Sequence, residues 1–101
     1  MPMEIFDTMG AVLELSPVLD LIAASALLEA FTQHRGQAIR LEANGVQRLG
    51  GQCLQVLLAA RAAWAADGQN FLIENESDEF TASLELLGVP AADLTYARNT
   101  A

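Results

Sequence analysis

The chain has no lysine and only one cysteine, one histidine and one tryptophan among its 101 residues. The single cysteine, Cys53, excludes an internal disulfide and with it a disulfide-stapled secreted domain. Without lysine the chain cannot complete a P-loop, and its glycines do not follow the spacing of a phosphate-binding motif. The single histidine, His34, has no cysteine or carboxylate neighbour at ligand spacing, so it is better explained as a residue at a helix end than as a metal ligand. We therefore expect no metal site, because the one histidine lacks partner ligands, and no bound cofactor, because no phosphate-binding motif is present.

Positive charge is also scarce. The chain carries 13 acidic residues against five arginines, for a formal net charge of -8. Such a surface repels nucleic-acid backbones and anionic lipid headgroups, so we expect no nucleic-acid partner, whereas a protein with a basic face would suit it. No stretch resembles a signal peptide or reaches the ~20 apolar residues that span a bilayer. We therefore expect no direct membrane insertion and a cytoplasmic location.

Groups that could carry catalysis are missing as well. No Ser/His/Asp or Cys/His arrangement with a third member is present, and the acidic run at residues 74–79 fits no calcium-loop pattern. That run is better explained as a solvated loop leading into a helix. The chain is therefore not expected to be an enzyme.

What the chain does have is apolar sequence with alternating strand and helix periodicity. Apolar residues make up 52% of it, which is enough for one small domain spanning residues 1–101. The patterns predict strands at residues 3–6, 11–15, 37–43 and 71–73, helices at residues 22–34, 52–66 and 78–87, and a loose polar tail at residues 93–101. The predicted fold class is therefore α/β, with a mixed four-stranded sheet and helices packed mainly on one face.

Helical spacing marks the side chains expected to face the core. These are Ala24, Leu27, Leu28 and Phe31 in the first helix, Cys53, Leu57, Ala60 and Trp64 in the second, and Phe80, Leu84 and Leu87 in the third. Asp20 and Ser77 precede the first and third helices and are suited to cap them. In the strand at residues 37–43, Ile39 and Leu41 are expected on the buried face.

The most informative segment joins that strand to the second helix. Asn44-Gly45 is a strong turn pair. Because a helical pattern starts only a few residues later, the pair predicts a strand-to-helix crossover rather than a hairpin. Gly50-Gly51 then opens a long apolar helix and permits unusual backbone angles or close backbone approach. These glycines are explained either by a tight loop or by contact with a partner.

Five stretches occur in a characteristic order. They are Val12-Leu13-Glu14-Leu15 followed by Leu19-Asp20, residues 24–31, Ile39-Arg40-Leu41-Glu42-Ala43-Asn44-Gly45-Val46, residues 54–58, and Phe80 and Leu84 with Leu87-Gly88-Val89. Together they resemble the STAS domain, the fold of the bacterial anti-sigma factor antagonists, over about residues 10–89. Each motif is mostly apolar, and their order and spacing together carry the resemblance. The resemblance implies the STAS form of the α/β fold and a non-catalytic protein-interaction module.

In the STAS family an Asp-Ser-Ser-Gly-like tetrad begins the switch helix, and a partner kinase phosphorylates its second Ser/Thr-class position. The matching residues here are Gly50-Gly51-Gln52-Cys53. The resemblance thus places Gln52 at the acceptor position and implies that the phosphosite is lost, because glutamine has no hydroxyl. A switch at Ser16 or Ser77 instead ranks lower, since neither lies at the family's acceptor position.

The resemblance also implies a partner-binding surface. Its residues would be Ser16, Asp20, Asn44, Gly50, Gly51, Gln52 and Cys53. The expected partner is an anti-sigma factor or a histidine-kinase-like protein in bacterial transcription regulation, chemotaxis or two-component signalling. The alternative is a STAS subunit of an ABC-type lipid or solute transporter that docks on the ATPase. Apolar helix faces leave a homodimer open, while Asp20 and Cys53 also have ordinary explanations as a helix cap and a core residue.

Overall fold

Short strands and helices alternate along the chain. The computed structural model describes residues 10–98, and the strand predicted at residues 3–6 lies outside them. The elements are β1 (Ala11–Glu14), β2 (Val18–Leu19), α1 (Leu21–Gln33), β3 (Ile39–Glu42), β4 (Arg48–Leu49), α2 (Gly51–Ala66), β5 (Phe71–Glu74), α3 (Asp78–Leu87) and a 3-10 helix (Ala91–Leu94). The three predicted helices are confirmed, whereas β2 and β4 were not predicted from the sequence.

A parallel sheet lies at the centre of the fold. Its strands stand in the order β1-β3-β5, with Ala11, Ile39 and Phe71 in one register row. This arrangement confirms the crossover expected after β3. The main sheet of residues 10–98 has three strands, all parallel, so the predicted mixed four-stranded sheet is not confirmed; its predicted strand at residues 3–6 lies outside the described residues. β2 and β4 form a separate parallel ladder.

Helices cover one face of the main sheet. Ile39, Leu41 and Phe71 are fully buried on this face, as the alternation of apolar residues predicted for the central strand. The rings of Phe31 in α1 and Trp64 in α2 pack on Phe71, with centroid distances of 5.6 and 5.7 Å. The alternate side chains of β3 point the other way and are only partly buried. The core therefore lies between this sheet face and the two helices.

Polar side chains begin α1 and α3. Asp20 accepts a hydrogen bond from the backbone N–H of Ala23 at 3.1 Å, and Ser77 accepts one from the backbone N–H of Phe80 at 3.0 Å. Both predicted caps are confirmed. No helix within residues 10–98 is long and apolar enough to cross a bilayer.

Two leucines that helical spacing assigned to the core lie at the surface. Leu28 is 55% exposed and Leu87 is 41% exposed. The buried side chains of α1 are Leu27 and Phe31, and Leu28 stands beside that stripe, facing the groove next to α2. Periodicity alone does not tell the centre of a helix face from its margin.

The chain after the 3-10 helix packs on the sheet edge. Leu94 is fully buried, and Tyr96 exchanges two backbone hydrogen bonds of 2.7 Å with Phe71 in an isolated antiparallel pair. The loose tail predicted from residue 93 is therefore wrong for residues 93–98. One buried leucine and one backbone pair leave too weak a pattern in the sequence to be recognised.

Candidate functional site

The β2–β4 ladder brings the starts of α1 and α2 together. Val18 pairs with Arg48 and Leu19 with Leu49, so the residue that caps each helix directly follows one strand of the ladder. The backbone N–H of Gly50 donates to the carbonyl of Leu19 at 2.9 Å. The structure therefore places the loop at residues 16–20 beside the tetrad at residues 50–53, as the proposed partner surface requires.

A second bond joins the two helix starts. The Cys53 thiol donates to the backbone carbonyl of Asp20 at 3.2 Å, while the Asp20 carboxylate caps α1. Cys53 is fully buried, so its side chain cannot touch a partner directly. This corrects its place in the predicted contact surface. Its role here is to hold the first turn of α2 against α1.

Burial, followed by the negative charge of Asp20, raises the pKa of the Cys53 thiol above its ordinary value. The helix N-terminus would lower this pKa, but loss of hydration outweighs it. The folded protein therefore holds the thiol proton more tightly than the unfolded chain. The resulting contribution to stability is fully present below the unfolded pKa and is lost as pH rises through the raised folded pKa.

Cys53 is expected to react slowly with thiol reagents in the folded protein. At pH 8 we expect its rate with DTNB to be at least about tenfold lower than in urea, because each unit of pKa lowers the thiolate fraction about tenfold and burial also blocks access. Stopped-flow absorbance measures both rates. Asp20→Asn keeps a cap for α1 but removes the charge, and should speed the reaction modestly. Equal rates in folded and unfolded protein would contradict the buried placement.

The two glycines at the start of α2 are not demanded by the fold. Gly50 caps the helix in extended conformation, with φ -98° and ψ 172°, and Gly51 is its first residue. A Cβ at Gly51 would meet nothing within 4 Å, and one at Gly50 would meet the Leu19 carbonyl at an ordinary 3.5 Å. Neither glycine is in the left-handed region. The glycines are therefore not explained by unusual backbone angles, and Gly50 stands at an N-cap, where glycine is well tolerated.

The exposed residues of the tetrad are Gly51 and Gln52. Gly50 offers no side chain to cap α2, and no side-chain hydrogen bond replaces it among residues 10–98. The first backbone N–H groups of a helix have no partner within the helix and attract polar or negative groups. The start of α2 thus presents backbone donors beside the Gln52 amide, with no bulky side chain in front of them.

The remaining predicted residues lie in different settings. Ser16 is exposed between β1 and β2, on the loop that leads to Asp20. Asn44 is also exposed, but its turn is tied to the start of α3, since the Ala43 carbonyl accepts from the Ser77 N–H at 3.2 Å. The Ser77 hydroxyl donates to the Val46 carbonyl at 2.5 Å while it caps α3, so it has a structural role.

Sequence reasoning missed the outer surface between α1 and α2, beside the tetrad. An open groove of about 440 Å³ runs between the two helices. We call its lining the α1–α2 face, which comprises Ala24, Ser25, Leu28, Gln52, Gln55, Val56 and Ala59. The sequence signal was the scarcity of charge: α1 contains one charged residue, Glu29, and α2 contains one, Arg61, and neither lines the groove.

No metal centre is found among the residues that the structure covers, because no group of three or more His, Cys, Asp or Glu side chains could hold an ion.

The chain was compared with known protein families, curated proteins and solved structures. No curated protein and no solved structure matches the chain. The family model described as "Mlab, STAS domain" matches residues 6–95, which is most of the chain. The chain therefore belongs to the STAS domain family described under that name.

Proposed function

We propose that the chain is a non-catalytic protein-interaction module whose partner binds at the start of α2. The observation that carries the proposal is the pair Gly50 and Gly51, which the fold itself does not need. With no side chain at either position, the backbone N–H groups of the first turn are left open to a partner. Membership of the STAS family supports an interaction role.

The proposed surface consists of the exposed residues that the β2–β4 ladder gathers. Gln52 and the free backbone donors of the first turn of α2 form its centre, and Ser16 lies on the neighbouring loop. Asp20 and Cys53 position these groups through their hydrogen bond. Asn44 would contribute only at the margin, because its turn belongs with the start of α3.

The module is proposed to work without phosphorylation at the family's acceptor position. Gly51 and Gln52 both lack a hydroxyl, so neither can accept a phosphoryl group there. Ser77 is a poor substitute, since its hydroxyl is engaged with Val46 and with the start of α3. Binding at this surface is therefore expected not to depend on phosphorylation of the tetrad.

The partner is proposed to be a bacterial cytoplasmic signalling protein of the anti-sigma or histidine-kinase-like class, acting in transcription regulation, chemotaxis or two-component signalling. The net charge of -8 favours a partner with a basic face through long-range attraction. The second candidate is the ATPase of an ABC-type lipid or solute transporter. The missing acceptor hydroxyl favours this candidate, because a subunit that stays docked needs no phosphate switch.

Gly51→Arg is expected to weaken binding of the cognate partner at least about tenfold, or ~1.4 kcal/mol, because it places a bulky cation over the first turn of α2. Gln52→Glu is expected to weaken it too, through a charge beside the helix donors. The binding constants would be measured by calorimetry with purified candidates of each class, an anti-sigma or kinase-like protein and a transporter ATPase from the same organism.

Ala62→Arg is the matched control. Ala62 is exposed on the same helix, and 11 residues separate it from position 51, which is about 16 Å along the axis. It adds the same charge and should leave affinity unchanged. Equal weakening by both arginines would argue against a site at the helix start. If Gly51→Arg and Gln52→Glu instead both lowered the melting temperature strongly, the loop would be purely structural.

A further inference from the structure

The chain after the 3-10 helix runs along the outer edge of β5. Within residues 10–98, β5 is the last strand in the sheet order β1-β3-β5, and β3 bonds to one of its two sides. Because β3 takes the backbone groups of alternate residues, those of Phe71 and Ile73 turn outward. Phe71 and Tyr96 donate to each other's backbone carbonyls, both at 2.7 Å. We call residues 95–98 the C-terminal strap.

Side-chain hydrogen bonds complete the contact between the strap and the edge. Thr95 Oγ1 donates to the Phe71 carbonyl at 3.1 Å and accepts from the Ile73 N–H at 3.4 Å. The Arg98 N–H donates to Asn70 Oδ1 at 2.6 Å. The strap therefore occupies both outward backbone groups of Phe71 and the N–H of Ile73, which are groups that another strand would need for pairing.

The strap is held in place from α2 and from the core. Arg61 Nε donates to the Thr95 carbonyl at 3.0 Å, and the guanidinium lies 5.9 Å from the centre of the Tyr96 ring. Leu94, directly before the strap, is fully buried. The strap is thus fastened to a helix and to the core as well as to the edge that it covers.

The edge beneath the strap has the sequence of a strand that pairs readily. Residues 71–73 are consecutive apolar residues, and Phe71 and Ile73 have high β propensity. An open edge of this kind is a template for other strands, and natural proteins close it with short segments, prolines or charges. The strap closes it with one isolated antiparallel pair, which is too short to act as a new edge.

We propose that the C-terminal strap is a device that keeps the β5 edge from pairing with other chains. Release of the strap frees the two outward groups of Phe71 and the N–H of Ile73, and opens an apolar run to strand addition. The strand always present in a pure solution is that of a second copy, so self-association reports an open edge. The edge contains none of the residues of the proposed partner surface, and the proposal does not rest on the interaction function.

Tyr96→Pro in the full chain tests the strap. Proline has no N–H to donate to Phe71, while Thr95 already has the extended backbone, with φ -114° and ψ 149°, that a residue before proline adopts. Sedimentation velocity over a concentration series is expected to show self-association at least about tenfold stronger than in the wild type. Thr95→Val, which removes both hydroxyl bonds, should act in the same direction and serves if Tyr96→Pro does not fold by circular dichroism.

Three variants serve as controls. Tyr96→Phe keeps the ring and both backbone bonds, so it should sediment as the wild type. Leu27→Ala controls for general destabilisation, because Leu27 is buried beside β1 at the opposite edge of the sheet. Leu72→Glu, added to Tyr96→Pro, should restore wild-type sedimentation, since it places a charge on each edge and faces Arg40 across the ladder.

Folded Tyr96→Pro and Thr95→Val proteins that sediment as the wild type would overturn the proposal. Equal self-association of Leu27→Ala would also overturn it, because partial unfolding would then explain the effect. Self-association that Leu72→Glu does not reduce would place the contact away from the β5 edge and contradict the proposal too. These readouts need no partner, so their outcome is independent of the Gly51→Arg calorimetry.

Discussion

Replacement of Trp64 by alanine is expected to lower the free energy of unfolding by about 3–5 kcal/mol. Trp64 is 1% exposed, and its ring packs edge-on to Phe31 at 5.8 Å and tilted against Phe71 at 5.7 Å. Its indole N–H donates to the Gln37 carbonyl at 2.6 Å. The alanine variant therefore leaves a cavity where α1, α2 and the sheet meet, together with an unpaired carbonyl.

Urea unfolding followed by far-ultraviolet circular dichroism measures this loss, since the chain has no other tryptophan to report fluorescence. Trp64→Phe is the control. It retains an aromatic ring but not the N–H, so it should be destabilised by less than the alanine variant. A loss under about 1.5 kcal/mol for Trp64→Ala, the size of one ordinary hydrogen bond, would contradict the role of this cluster as the centre of the core.

Replacement of Ser77 by alanine is expected to lower the free energy of unfolding by about 2–4 kcal/mol. One hydroxyl accepts from Phe80 and donates to the Val46 carbonyl, so a single oxygen begins α3 and ties it to the segment before β4. Its removal costs about 1 kcal/mol for the cap and about 1–3 kcal/mol for the carbonyl left without a partner.

Thermal and urea unfolding would measure the effect of Ser77→Ala. Ser77→Thr retains both hydrogen bonds and should be close to the wild type in stability. Ser83→Ala, on the same helix, removes a hydroxyl that makes no hydrogen bond among residues 10–98, and should be neutral or slightly stabilising. Equal stability of Ser77→Ala and Ser83→Ala would show that the cap and its link to Val46 contribute little.

The long helices and the central strand were well predicted, because buried and exposed residues recur along them at a regular spacing. The helix with Cys53, Leu57, Ala60 and Trp64 on one stripe is α2, and all four are buried. The alternation of Ile39 and Leu41 likewise marked the buried face of β3. Short-range capping was predictable too, since Asp20 bonds a residue only three positions away.

The site itself was only half predictable. The residues of the loop and of the tetrad were named correctly as neighbours, but the ladder that joins them consists of two-residue strands too short for any period to appear. Helical spacing predicts Leu28 of the α1–α2 face in the core, but its side chain is exposed. Spacing alone does not show how far the neighbouring helix covers a side chain at the margin of the buried stripe. Cys53 was placed among the contact residues although it is buried.

The sequence by itself determined the alternation of elements, the acidic charge, the absence of a hydroxyl at Gly51 and Gln52 and the STAS resemblance, because these depend on residue identity and on spacing within one turn or one strand. Only the tertiary structure decided that Cys53 donates to Asp20, that a side chain would fit at both Gly50 and Gly51, and that α1 and α2 share a neutral groove. These features join residues about 30 positions apart, so they depend on how the elements pack rather than on any local pattern.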